Sequence, residues 1–223
     1  MLRDFTTGVI DGARGSAYLV RHRAVWKWVL APAAVVGVAV AVLLGWLFAI
    51  VGATGLVGWT SLAIATATVV ATFAVLVAGP FNELLSEAIE EIESGVPAPK
   101  MTISRFCYEL AVGIAHAIRR YVPYLVIVVG LFVIAHVVPV IGRSVAAIGA
   151  VWVTARYASY NSYDAVWARR HWSYGRKWSY LREQRWRTLG LGAFVAVLLA
   201  VPGVNVIALA IGSAGATLRM LGE

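Results

Sequence analysis

Apolar residues in this chain fall into two long runs in the first half and four shorter ones later. Residues 24–51, AVWKWVLAPAAVVGVAVAVLLGWLFAIV, are uniformly uncharged after Lys27, and residues 56–79 form a second full-length run. Roughly 20 apolar residues in a helix cross about 30 Å of hydrocarbon. The pattern therefore predicts two spanning helices joined by the uncharged turn GATG at 52–55. Pro32 lies near the start of the first, where a missing N–H costs least. The later runs, 121–138, 144–155, 188–201 and 203–217, are shorter and are separated in pairs by helix breakers, Pro139 with Gly142 and Pro202 with Gly203. Short apolar segments broken at proline and glycine predict two helical hairpins that enter the bilayer part-way. Two short complete crossings per hairpin is the alternative that the pattern leaves open.

Between these parts lies VLVAGPFNELLSEAIEEIESG, residues 75–95, which begins as membrane-grade sequence and turns acidic at Pro80. Phe81, Leu84, Leu85, Ala88, Ile89 and Ile92 follow helical spacing, with Glu83, Glu87, Glu90 and Glu91 on the other face, so the second span is expected to continue as an amphipathic helix with a solvated acidic side. Gly95 and the PAP at 97–99 end it. A second amphipathic stretch, Ser104 to Arg120, could pair with it below the bilayer.

Composition sharpens the picture. Hydrophobic residues make up 61% and charged residues 13% of 223, against about 45–50% and 25% in soluble domains. A single membrane domain, 1–223, without a soluble module is expected. The first 25 residues are polar and charged and lack a cleavable signal, so the first apolar helix should act as the anchor. The formal charge of +8 is concentrated before Trp28, between Lys100 and Arg120, and from Arg156 to Arg187. All three clusters share one side if both hairpins start and end where the second helix exits. The positive-inside rule makes that side, with both termini, cytoplasmic. The lone cysteine, Cys107, forms no internal disulfide. The sum is an all-α integral membrane protein: two long transmembrane helices extended into the cytoplasm, plus two pairs of short half-penetrating helices.

Specific motifs add a resemblance. AGPFNELLSEAIE, with Pro80, Phe81 and Asn82, resembles a signature of the CysZ sulfate transporters and their relatives, the etoposide-induced-protein family. YNSYD ending at Asp164, ARR at 168–170, SY at 173–174, LGLG at 189–192, VPGVN containing Pro202, and GAT ending at Thr217 follow in the family's order. The resemblance implies the same two-long-helix, two-half-hairpin fold and sulfate uptake for cysteine synthesis. In that family a Gly-Leu-Arg-Arg motif before the first long helix is associated with sulfate binding. The equivalent stretch here is Ala24-Val25-Trp26-Lys27, and Ala210 replaces a family proline.

An oxyanion inside a membrane protein needs helix N-termini, hydroxyls and a few cations. Asn205, Ser213 and Thr217 lie on the second hairpin. Asn205 is read either as a ligand or as an N-cap, for which asparagine is well suited. Arg143, at the tip of the first hairpin, is an anion ligand if the hairpin re-enters and an external loop residue if it spans. Arg21, Arg23 and Lys27 flank the first helix, either as substrate ligands, Lys27 best by position, or as ordinary positive-inside anchors. Lysine offers a point charge where arginine offers a planar fork.

The block WARRHWSYGRKWSYLREQRWR, 167–187, interleaves rings and cations. Nucleic-acid grooves share this feature, but between membrane segments it is assigned to the lipid headgroups. Asp164 and Arg156 are a candidate ion pair. His22, His116, His136 and His171 lack metal spacing, and no phosphate loop, dinucleotide fingerprint or nucleophile elbow occurs. No enzyme, metal, cofactor or nucleic-acid partner is expected. The expected function is a multi-pass transporter or channel for sulfate or a similar oxyanion, with a non-transporting membrane scaffold of the same fold as the alternative. A homo-oligomer in the plasma membrane is expected, because half-crossing helices need neighbours to cover freed backbone groups.

Overall fold

The computed structural model describes residues 1–51, 78–97, 102–138, 141–201 and 203–222. Most of the second apolar run, the 52–55 turn, Pro139 and Pro202 lie outside these residues. Every regular element described is a helix. α1 is Leu2–Arg21, a short 3-10 turn Arg23–Val25 follows, and α2 is Trp26–Val51. α3 covers 78–94, and the remainder are α4 Ile103–Val137, α5 Ile141–Arg169, α6 Tyr174–Glu183, α7 Arg185–Leu199 and α8 Asn205–Leu221.

The core is built on α7 and α8, which form the second predicted hairpin, turning through Gly203 at φ +83°. Only glycine takes that conformation freely. α1 packs along one side of this hairpin and α5 along the other. Each contact is closed by a glycine that lets backbones touch, since any Cβ would hold the helices apart. From LGLG, Gly190 meets the Phe5 carbonyl on α1 and Gly192 meets the Ala155 carbonyl on α5. From α8, Gly215 faces Asp11 on α1 and Gly212 faces Ser162 on α5. Two residues in a helix point about 200° apart, which is why one LGLG motif serves both neighbours.

The polar, charged amino-terminal residues form α1, whose buried face is Gly8, Asp11, Gly12, Gly15, Tyr18 and Leu19. Its contact stripe combines three glycines and Asp11 with Tyr18 and Leu19, so over most of its length the buried side is small or polar rather than a run of large apolar residues. α3 follows its predicted course, ending where Gly95 adopts φ +70°. Its buried face is rotated from the expected stripe, however. Leu85 and Ile89 are fully buried against Tyr18, Leu19, Val25, Val29 and Ala214, but Asn82, Ser86 and Glu87 are buried too, while Ile92 is exposed. The acidic side is thus not simply solvated.

In the first hairpin the arms are longer than their apolar tips. Residues 104–120 and 121–137 form one uninterrupted helix, α4, with Pro123 inside it. Its 35 residues extend about 52 Å at 1.5 Å per residue. α5 returns beside it, with Gly142 close against the Ile134 carbonyl. Val122, Leu125, Val126, Val129, Phe132 and Val133 on α4 are exposed, as are Val145, Ile148, Val151 and Trp152 on α5. From Val153 onward α5 turns inward to the core. Among the described helices, Arg23–Val42 alone is long and apolar enough to cross a membrane by itself, and Val122–Val137 and Asn205–Leu221 are shorter apolar stretches.

Candidate oxyanion site

The chain's motifs converge although they are far apart in sequence. Asn82, Ser86 and Glu90 lie one turn apart on α3. Arg169, from the ARR block, bonds Glu90 at 2.5 Å and donates Nη2 to Ser86 Oγ at 2.7 Å. Ser86 and Thr217 hydroxyls are 2.6 Å apart. Thr217 commits its proton to the Ser213 carbonyl at 2.8 Å, so Ser86 must donate to Thr217 while accepting from Arg169. Ser213 in turn donates to the Asn82 carbonyl at 3.4 Å. All of these hydroxyls are buried. Ser213 and Thr217, candidates for anion binding, are therefore engaged in holding α3 against α8.

Other cations are similarly engaged. Lys177 Nζ lies 2.7 Å from Asp164 Oδ1. Arg156, the partner expected for Asp164, instead donates to the Leu181 carbonyl at 3.1 Å. The two residues are eight apart on α5, about 12 Å along the axis, too far for the pairing that spacing suggested. Arg187 forms a bidentate pair with Asp11, and that hydrogen bond raises the Arg187 pKa further above its ordinary value. Arg219 donates to the Tyr163 hydroxyl at 2.6 Å. Burial pushes Tyr163 up to about 12, while Arg219 pulls the other way.

Two clusters of cations make no ion pair among the described residues. The first is the α1–α2 junction, where Arg21, Arg23 and Lys27 are exposed and make no ion pair among the described residues. The turn that carries them is fixed. His22 stacks on Tyr18 at 4.0 Å, Trp26 Nε1 donates to the Leu19 carbonyl at 2.8 Å, and Val25 is buried. Lys27 Nζ sits 5.1 Å from the Trp28 ring. The second is a cavity of about 690 Å³ between α4, α5, α6 and α7, edged by Arg156, Arg182 and Arg185. Arg143 and Asn205 are exposed at the starts of α5 and α8, one on each hairpin. Asn205 does not cap: Val204 occupies the N-cap position and no side chain bonds there. Among the described residues, no group of three potential metal ligands occurs.

Asp11, Arg219, the pairing of Arg187 and the place of Arg156, Arg182 and Arg185 around one cavity escaped the sequence reading. Arg182 and Arg185 lay inside the aromatic-basic block, but nothing in their spacing distinguishes them from the paired Lys177 and Arg187.

Residues 13–210 match a family described as "Sulfate transporter CysZ/Etoposide-induced protein 2.4". The chain belongs to this family. Among curated proteins it is similar to the "Sulfate transporter CysZ" of Pseudomonas fluorescens Pf-5, 29% identical over 66% of this chain and 59% of the relative. It is also similar to the protein of that name in Pseudomonas syringae pv. tomato, 30% identical over 71% and 61%. The chain thus spans about three-fifths of the length of the curated CysZ relatives it matches. Arg23 and Lys27 lie within the matched segment, as do the motifs on α3, α5 and α7.

Proposed function

We propose that this CysZ-family chain carries sulfate, or an oxyanion of similar size and charge, across the cell membrane toward the cytoplasm, supplying sulfur for cysteine synthesis. The observation that carries the reading is the α1–α2 junction. Arg23 and Lys27 project from a turn held by His22, Trp26 and Val25 and make no ion pair among the described residues, and Lys27 ends the stretch that corresponds to the family's sulfate-associated motif. Membership of a family that includes sulfate transporters supplies the substrate class. Arg143 and Asn205, at the tips of the two hairpins, are assigned to later contacts along the path, with helix N-termini contributing N–H donors. The apolar arms of both hairpins are read as re-entrant and α2 as a complete span, with both termini cytoplasmic by the charge rule and copies of the chain sealing the half-crossings against lipid.

The test is labelled sulfate uptake into liposomes holding the purified chain, compared with empty vesicles and with Lys27→Ala, Arg23→Ala and Arg143→Ala. Uptake above empty vesicles that falls in these variants supports transport through this site. Absence of uptake, together with absence of sulfate binding by calorimetry, would leave a membrane scaffold of the same fold. Cysteine labelling at position 143 separates a buried tip, which is protected, from a spanning loop, which labels from outside.

A further inference from the structure

The cavity beside α6 has a different character from the α1–α2 junction. One wall, made by Ile127, Val153 and Leu189, is apolar, while Arg156, Arg182 and Arg185 edge the other end. Trp178 and Trp186 also line it, and Arg119 adds a cation over the neighbouring Tyr174 ring at 4.8 Å. No carboxylate is among the described lining residues. Its level in the fold is marked independently: one turn above Arg156 begins the exposed apolar surface of α5, from Trp152 back to Ile141, facing the exposed apolar α4. The arginines therefore sit where the hydrocarbon-compatible surface stops, and tryptophan and tyrosine favour this interfacial depth.

We propose that this cavity binds an anionic phospholipid, with the phosphate among Arg156, Arg182 and Arg185 and the upper acyl chain against Ile127, Val153 and Leu189. A small inorganic oxyanion would leave the apolar wall wet, and a neutral lipid would leave three cations without a counter-charge. An anionic amphiphile satisfies both ends. The volume, within the range of small-molecule pockets of about 300–1,000 Å³, takes a headgroup and the first part of a chain, with the remainder in the bilayer. The inference depends on the chain residing in a membrane, not on what crosses it.

Native mass spectrometry of the full chain in detergent, offered phosphatidylglycerol or phosphatidylcholine with matched palmitoyl-oleoyl chains, tests it. The chain is expected to retain one phosphatidylglycerol about tenfold more strongly than phosphatidylcholine, the scale expected from removing a few cation–headgroup contacts. Arg182→Gln with Arg185→Gln should reduce the preference to near parity without loss of helical circular dichroism, because both side chains are exposed. Arg182→Gln alone should reduce it partly. Equal retention of the two lipids, or a preference unchanged in the double variant, overturns the assignment. Displacement of phosphatidylglycerol by excess inorganic sulfate or phosphate also overturns it, since the cavity would then be a small-oxyanion site. Sulfate uptake by the unmodified chain is a separate readout, so failure here is distinguishable from failure of the transport reading.

Discussion

Asp11 on α1 and Arg187 on α7 lie 176 residues apart and meet through two hydrogen bonds, Nε to Oδ2 at 2.7 Å and Nη2 to Oδ1 at 3.1 Å. Asp11 is 2% exposed and Arg187 27%, so the aspartate depends on this partner far more than the arginine does. Removing one member of a fully buried pair costs about 3–5 kcal/mol. Arg187 keeps some water, so Asp11→Asn is expected to cost less, about 2 kcal/mol. Thermal unfolding in detergent, followed by tryptophan fluorescence, measures this. An unchanged midpoint would show that the pair does not anchor α1.

The ordered chain from Arg169 through Ser86 and Thr217 to the Ser213 carbonyl makes Thr217 both donor and acceptor. Thr217→Val keeps the shape but leaves the buried Ser86 hydroxyl proton without its acceptor, while Arg169 keeps Ser86 and Glu90. A loss of about 1–3 kcal/mol is expected. Thr217→Ser, which keeps the hydroxyl, should lose much less. A loss confined to Thr217→Ser, with Thr217→Val near the unmodified chain, would place the effect in the methyl group's packing and not in the hydrogen bond.

Two glycines in helices should respond in opposite directions. A Cβ at Gly192 would overlap the Ala155 carbonyl oxygen and approach Ser159 Cβ at 2.7 Å, so Gly192→Ala should force α7 away from α5 and cost ~2 kcal/mol. At Gly130 on α4 nothing lies within 4 Å of the added carbon. Gly130→Ala should therefore stabilise by up to about 1 kcal/mol through helix propensity. Unfolding midpoints of the two proteins check both signs.

At the α1–α2 junction, Lys27 presents a point charge beside the Trp28 ring. Lys27→Arg would supply a planar fork able to bond an oxyanion in two places, worth about 1 kcal/mol and hence several-fold in affinity. Sulfate uptake measured at low external sulfate should rise in Lys27→Arg and fall in Lys27→Ala. A rise in neither, with binding unchanged by calorimetry, would remove Lys27 from the site.

The sequence alone determined what depends on local pattern. Apolar run lengths marked α2 and the tips of both hairpins, the breakers at 139–142 and 202–203 marked their turns, and PFNELL with LGLG and GAT marked the family. Helical spacing placed Leu85 and Ile89 on the inner side of α3, where they are buried, but hydropathy left Asn82, Ser86 and Glu87 out of that face. That error has a physical cause: a buried polar face is stabilised by partners on other helices, here Arg169 and Thr217, and those partners are invisible within a local window. The same reason hid α1, whose contact stripe sets Asp11 and three glycines beside Tyr18 and Leu19. It also made Arg156 look like the partner of Asp164, when the fold brings Lys177 there. Only the tertiary structure decided which of the eight cations between Arg156 and Arg187 are engaged by acids and which stand open to an anion, because that depends on helices that meet across the whole length of the chain.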